Sequence, residues 1–116
     1  MVVSSGVRAQ VQELLPGEHL EYLIPAVVPL RCFGGNVYVA VTSQAINVLS
    51  TAAVGRGRPR RVIARLPRGT RIGAPEQGSM PGFSLGGIFY EVDEEYLAVV
   101  SALHAGALPP DPHPDL

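Results

Sequence analysis

Between residues 37 and 49 the chain alternates in a pattern that commits it to antiparallel sheet. Val37, Val39 and Val41 are separated by Tyr38 and Ala40, then Thr42-Ser43-Gln44-Ala45 breaks the run before Ile46-Asn47-Val48-Leu49 resumes it. Successive strand residues point to opposite faces, so this spacing builds an apolar face, and the short polar break turns the second run back on the first as a β-hairpin. The remaining sequence is punctuated in the same way. Its 13 Gly and 11 Pro are scattered between short apolar runs, a distribution that predicts many short strands joined by turns.

Ser4 or Ser5 can cap a short opening helix, with Val7, Val11, Leu14 and Leu15 at helical spacing and Pro16-Gly17 ending it. Residues 18–28 then read as a strand with Leu20, Tyr22 and Ile24 on one face, and Pro25 and Pro29 confine it to an edge or a bend. After the hairpin, Val62 to Leu66 forms a strand and Thr70 to Ile72 a short one. Phe83 to Leu85 and Ile88 to Val92 form the last pair around Gly86-Gly87, whose tight turn needs positive φ angles. From Asp93 the period changes to 3.6, with Tyr96, Val99, Val100, Leu103 and Ala107 on one side, Asp93 as N-cap and Gly106 as the stop. The expected fold is therefore mainly β with a C-terminal helix: a two-sheet sandwich or open barrel of about seven antiparallel strands, with a short N-terminal helix.

A chain of 116 residues with 47% hydrophobic and 16% charged residues suits one folded domain, expected over residues 1–108. The last eight residues hold four prolines, Pro109, Pro110, Pro112 and Pro114, and predict an extended, disordered tail. A net charge of −1 gives no whole-molecule field towards nucleic acid or an anionic membrane. The single cysteine, Cys32, permits no internal disulfide, and with no signal-peptide pattern and no apolar run long enough to span a bilayer, a cytoplasmic, non-membrane protein is expected.

The order of elements resembles the pleckstrin-homology-like (PH-like) superfold, and more closely the small bacterial PH-like domains. The residues that carry the resemblance are Leu15-Pro16-Gly17-Glu18, then Val39-Ala40-Val41-Thr42-Ser43-Gln44-Ala45-Ile46, then Arg61-Val62-Ile63-Ala64-Arg65-Leu66, and Leu85-Gly86-Gly87-Ile88-Phe89-Tyr90 before the closing helix. It spans roughly residues 10 to 105. The chain departs from it after Thr42, where relatives often carry an acidic-basic pair and this sequence has Ser43-Gln44. The resemblance implies a binding module for phosphoinositides, peptides or other proteins, and no catalysis.

Charge is segregated along the chain. Arg56, Arg58, Arg60, Arg61, Arg65, Arg68 and Arg71 make up seven of its nine basic residues, with no acid between Val54 and Pro75. Guanidinium groups bind carboxylate and phosphate oxygens bidentately, so Arg56, Arg58, Arg60 and Arg61, followed by Arg65 and Arg68, are the candidate contacts for a partner. The same residues also fit a solvated turn and edge strand balanced by Glu91, Asp93, Glu94 and Glu95. The segment has no interleaved aromatic for base stacking, which favours a protein partner, a second copy of the chain or an anionic lipid surface over nucleic acid. Val37 to Val41 or Glu18 to Ile24 could in addition accept an extra strand at an open edge.

No catalytic, cofactor or metal site is expected. His19, Cys32, His104 and His113 lack metal-ligand spacing, Cys32 reads as a small apolar filler, no nucleophile elbow occurs, and without lysine there is no P-loop. The acids at residues 91–95 read as helix capping and dipole complementarity. The rival reading is a small enzyme or small-molecule carrier whose pocket is assembled from sequence-distant residues.

Overall fold

The computed structural model describes residues 5–28, 35–51, 58–73, 76 and 81–107. Arg56, Cys32 and the Pro-rich tail lie outside the described residues. The elements run α1 (Ser5–Leu14), β1 (Leu20–Val28), β2 (Gly35–Thr42), β3 (Ala45–Thr51), β4 (Pro59–Pro67), β5 (Gly82–Leu85), β6 (Ile88–Glu91), a 3-10 turn (Glu94–Tyr96) and α2 (Leu97–Ala107). The chain is thus mainly β, with a helix at each end of the described fold.

The six strands form one antiparallel sheet in the order β4-β3-β2-β1-β6-β5. Both faces of its centre are buried. On the inner face Ile24, Val39, Val41, Ile46 and Val48 pack with Phe83, Leu85 and Tyr90 of the last hairpin and with Val100 and Leu103 of α2. On the outer face Val7, Val11, Leu14 and Leu15 from α1 and the step after it cover Leu20, Leu23, Tyr38, Ala40, Leu49 and Val62. The helix is amphipathic because Val7, Val11 and Leu14 recur at i, i+4 and i+7. It stops at Pro16-Gly17, where Gly17 takes φ +79°, a conformation that costs a side-chain-bearing residue.

The hairpin of residues 37–49 is in its expected register, with Tyr38 opposite Leu49 and Val41 opposite Ile46. Its turn is stabilised by a side chain: the backbone N–H groups of Gln44 and Ala45 donate to Thr42 Oγ1 at 3.2 and 3.1 Å, as a threonine turn does. The Gly86-Gly87 turn takes φ +59° and +82°, and Phe83 stacks on Tyr90 with ring centroids 5.5 Å apart.

Several sequence expectations need correction. Leu20, Tyr22 and Ile24 do not share a face: the ladder passes from Leu20↔Thr42 to Tyr22↔Val41, so Glu21 is an extra residue and Leu20 turns outward while Ile24 turns inward. β1 is not an edge strand, since it lies between β2 and β6. Its contact with β6 is confined to Val27↔Glu91, and Pro25 has no N–H with which to extend that ladder. Thr70–Ile72 is not a strand. Thr70 N–H closes a turn onto the Pro67 carbonyl at 2.9 Å, and Ile72 enters the inner cluster from a loop that is fixed by His104 Nδ1 against the Ile72 carbonyl at 2.7 Å. Asp93 precedes a 3-10 turn rather than α2 and its side chain makes no capping bond. Gly106 does not stop α2, which runs to Ala107.

Candidate functional site

The arginine-bearing segment is β4, at one edge of the sheet. Two register shifts against β3 leave Ile63 and Arg60 as extra residues, and such bulges bend an edge strand and disturb its hydrogen-bonding edge. With Pro59 and Pro67 at its two ends, this edge is poorly suited to accept another strand. The opposite edge, β5, is covered in part: Gly73 N–H donates to the Ser84 carbonyl at 2.8 Å, and Glu76 and Gly82 exchange backbone bonds. Val37–Val41 offers no edge at all, because β2 is paired on both sides. Of the two segments expected to accept a strand, only β1 before Val27 lacks a second ladder partner among the described residues.

The arginines divide into two sets. Arg65 Nη1 donates to Glu18 Oε2 at 2.9 Å and to Asn47 Oδ1 at 3.0 Å. Glu18 Oε1 also accepts the Thr42 hydroxyl at 2.6 Å, and the fully buried Asn47 reaches the Ala40 carbonyl. The Thr42 hydroxyl bond, joined by the Arg65 guanidinium, holds the Glu18 carboxyl below its ordinary value against the opposing effect of burial. Arg68 pairs with Glu21 at 3.0 Å. These two arginines tie β4 and the turn after it to Glu18 and Glu21 at the start of β1, in ion pairs that remain partly open to solvent.

Arg58, Arg60 and Arg61 are exposed, as is Arg71, and none has an ion pair or side-chain hydrogen bond among the described residues. They stand near the β4 start, where Thr51 pairs with Pro59 and Ser50 with Arg61. Arg58, Arg60 and Arg61 thus lie together at the start of β4, Arg61 on the inner face with its partner Ser50, while Arg65 and Arg68 are tied to acids further along.

A hollow of about 280 Å³ lies at the same end of the sheet, lined by Pro25, Ala26, Val27, Asn36, Val37, Tyr38, Thr51, Glu91, Val92 and Asp93. Thr51 Oγ1 donates to the Asn36 carbonyl at 2.9 Å on its rim. Burial pushes the Tyr38 phenol up, so it enters the wall uncharged. A second hollow of about 270 Å³ lies between Arg8 of α1, Glu21–Leu23 of β1 and Glu95, Tyr96 and Val99. Among the described residues no group of three His, Cys, Asp or Glu is placed to hold a metal ion, and no helix is long and apolar enough to cross a membrane.

Sequence reasoning missed the Glu18–Thr42–Asn47–Arg65 network. Its only signals were the polar Asn47 inside an apolar strand and the presence of Glu18, Thr42 and Arg65 in three separate pieces of the family-like pattern. Comparison with known proteins finds no matching family model, no matching curated protein and no matching solved structure. The class that the fold itself defines is a one-sheet, mainly β domain with a helix on each face.

Proposed function

We propose that this chain is a non-catalytic, PH-like binding module of the cytoplasm, which engages carboxylate groups of a protein partner through Arg58, Arg60 and Arg61. The observation that carries the reading is the contrast between arginines along β4 and its flanking residues. Arg65 and Arg68 are paired with Glu18 and Glu21, whereas Arg58, Arg60 and Arg61 are exposed and make no ion pair among the described residues. Guanidinium groups left in water keep all their donors for a partner's carboxylates, and bidentate contact makes each orientation-specific.

Support for the PH-like assignment comes from a sheet whose central strand joins two hairpin systems and from a closing helix seated on the inner cluster. Support for a protein rather than a lipid partner comes from the acids Glu91, Asp93 and Glu94 at the same end of the sheet, which would repel an anionic bilayer brought flat against it.

The test is the triple variant Arg58→Ser, Arg60→Ser, Arg61→Ser, assayed against immobilised polyglutamate and against anionic phosphatidylserine vesicles. The wild-type chain should be retained on polyglutamate and lost as salt rises, and the variant should elute early with its fold intact. Retention of the variant equal to wild type overturns the reading. Pelleting with vesicles but no retention on polyglutamate replaces the protein partner by a lipid surface.

A further inference from the structure

The sheet register gathers residues from distant stretches of chain around one hollow. Pro25 is opposite Tyr38, and Val27 is opposite both Asn36 and Glu91. Paired residues share a face and so do residues two apart in a strand, so Pro25, Val27, Asn36, Tyr38 and Glu91 all lie on the outer face. Together with Asp93, two residues past Glu91, they line the hollow of about 280 Å³. Its middle is apolar, with Val27 41% exposed beside the buried Tyr38, and its β6 side carries the two carboxylates.

Neither carboxylate is occupied by the fold. Asp93 stands where a helix-capping residue would, with φ −67° and ψ 147°, yet its side chain makes no capping bond. Glu91 belongs to the β6 ladder through its backbone, and neither acid makes an ion pair among the described residues. No described residue lining this hollow is cationic. The second hollow differs, since Arg8 lines it together with Glu21 and Glu95.

Two acids beside an apolar floor are complementary to a cation on an apolar stem. The methylenes of a lysine or arginine can lie along Pro25 and Val27 while the charged head meets Glu91 and Asp93. Size selects the source of that cation. A small-molecule site of roughly 300–1,000 Å³ encloses most of its ligand, whereas this hollow is smaller and open on the sheet face. It admits one side chain reaching in from a surface laid over it.

We infer that this hollow takes the basic side chain, lysine or arginine, of a protein partner. The site goes beyond the reading of the β4 arginines and stands without it, because its recognition chemistry is acidic and no arginine lines it.

The experiment titrates fluorescein-labelled tetralysine with the full chain at low salt, read by polarisation. Binding should saturate, and E91Q/D93N should weaken it about tenfold or more. The control E13Q/E76Q removes as many charges at exposed positions outside the hollow and should bind as wild type does. Val27→Lys, which keeps both acids and supplies the hollow with its own ammonium, should bind as weakly as E91Q/D93N. No binding by the wild type, an equal loss in the control, or full binding by Val27→Lys overturns the site. Cadaverine bound as tightly as the peptide would overturn the protein partner in favour of a free amine. If E91Q/D93N unfolds, amide NMR of the wild-type chain decides: shifts on adding tetralysine should gather at Val27, Asn36 and Asp93, and shifts gathered elsewhere overturn the site.

Discussion

The two ends of the sheet are built from the same strands and use polar residues in opposite ways. At the hairpin end, where Ala45 pairs with Pro67 and Leu20 with Thr42, α1 covers the outer face and Glu18, Thr42, Asn47 and Arg65 satisfy one another. At the far end, where Thr51 pairs with Pro59, the sheet carries an open hollow, and the arginines that start β4 make no ion pair among the described residues. The difference teaches that charge density along the sequence does not locate a binding surface. Arg65 and Arg61 are four residues apart in one strand, and only the second is available.

The largest expected effect is at the covered end. Leu49 is fully buried beneath α1, and Leu49→Ala should cost about 3 kcal/mol in urea unfolding, from lost transfer energy plus the cavity left behind. A cost below about 1 kcal/mol would mean that α1 does not seal this face. Glu18→Ala should come next, at about 2 kcal/mol, because it strips the Thr42 hydroxyl of its short bond and Arg65 of its carboxylate. A thermal melt of Glu18→Ala beside Thr42→Val and the double variant reads their coupling: sub-additive losses are expected, and strict additivity would break the network.

The same carboxylate gives the ends different responses to acid. Because the folded-state pKa of Glu18 lies below its unfolded value, its contribution is complete above the unfolded value and is lost as pH falls through the folded one. The stability gap between wild type and Glu18→Gln should therefore be widest near neutral pH and shrink below the ordinary glutamate range. A gap that stays constant down to pH values well below that range would contradict the assigned ion pair. The smallest effect belongs to the open end: Val27→Ser should leave urea stability within about 0.5 kcal/mol, and a larger loss would mean that Val27 is packed in the monomer.

What could be read from sequence was local. Period-two valines at 37–41, positive-φ glycines at 86–87 and helical spacing from Tyr96 onward each report neighbours a few residues away, and each element is present. The misreadings came from tertiary context. A single extra residue, Glu21, reverses the faces of β1, and nothing in the composition around it marks the bulge. Pro25 suggested an edge, yet the strand is central with a ladder that ends beside the proline. The arginine cluster was visible as a run, but its division was not, because Glu18 and Glu21 lie 47 residues from Arg65 and Arg68 in the chain.

The most direct measurement compares two paired substitutions in one strand and its turn. Arg60→Ser with Arg61→Ser should abolish retention on polyglutamate while leaving the melting temperature unchanged. Arg65→Ser with Arg68→Ser should lower the melting temperature and leave retention largely intact. The reverse assignment, with binding lost at Arg65 and Arg68 and stability lost at Arg60 and Arg61, would contradict the account of a self-satisfied end and an available one.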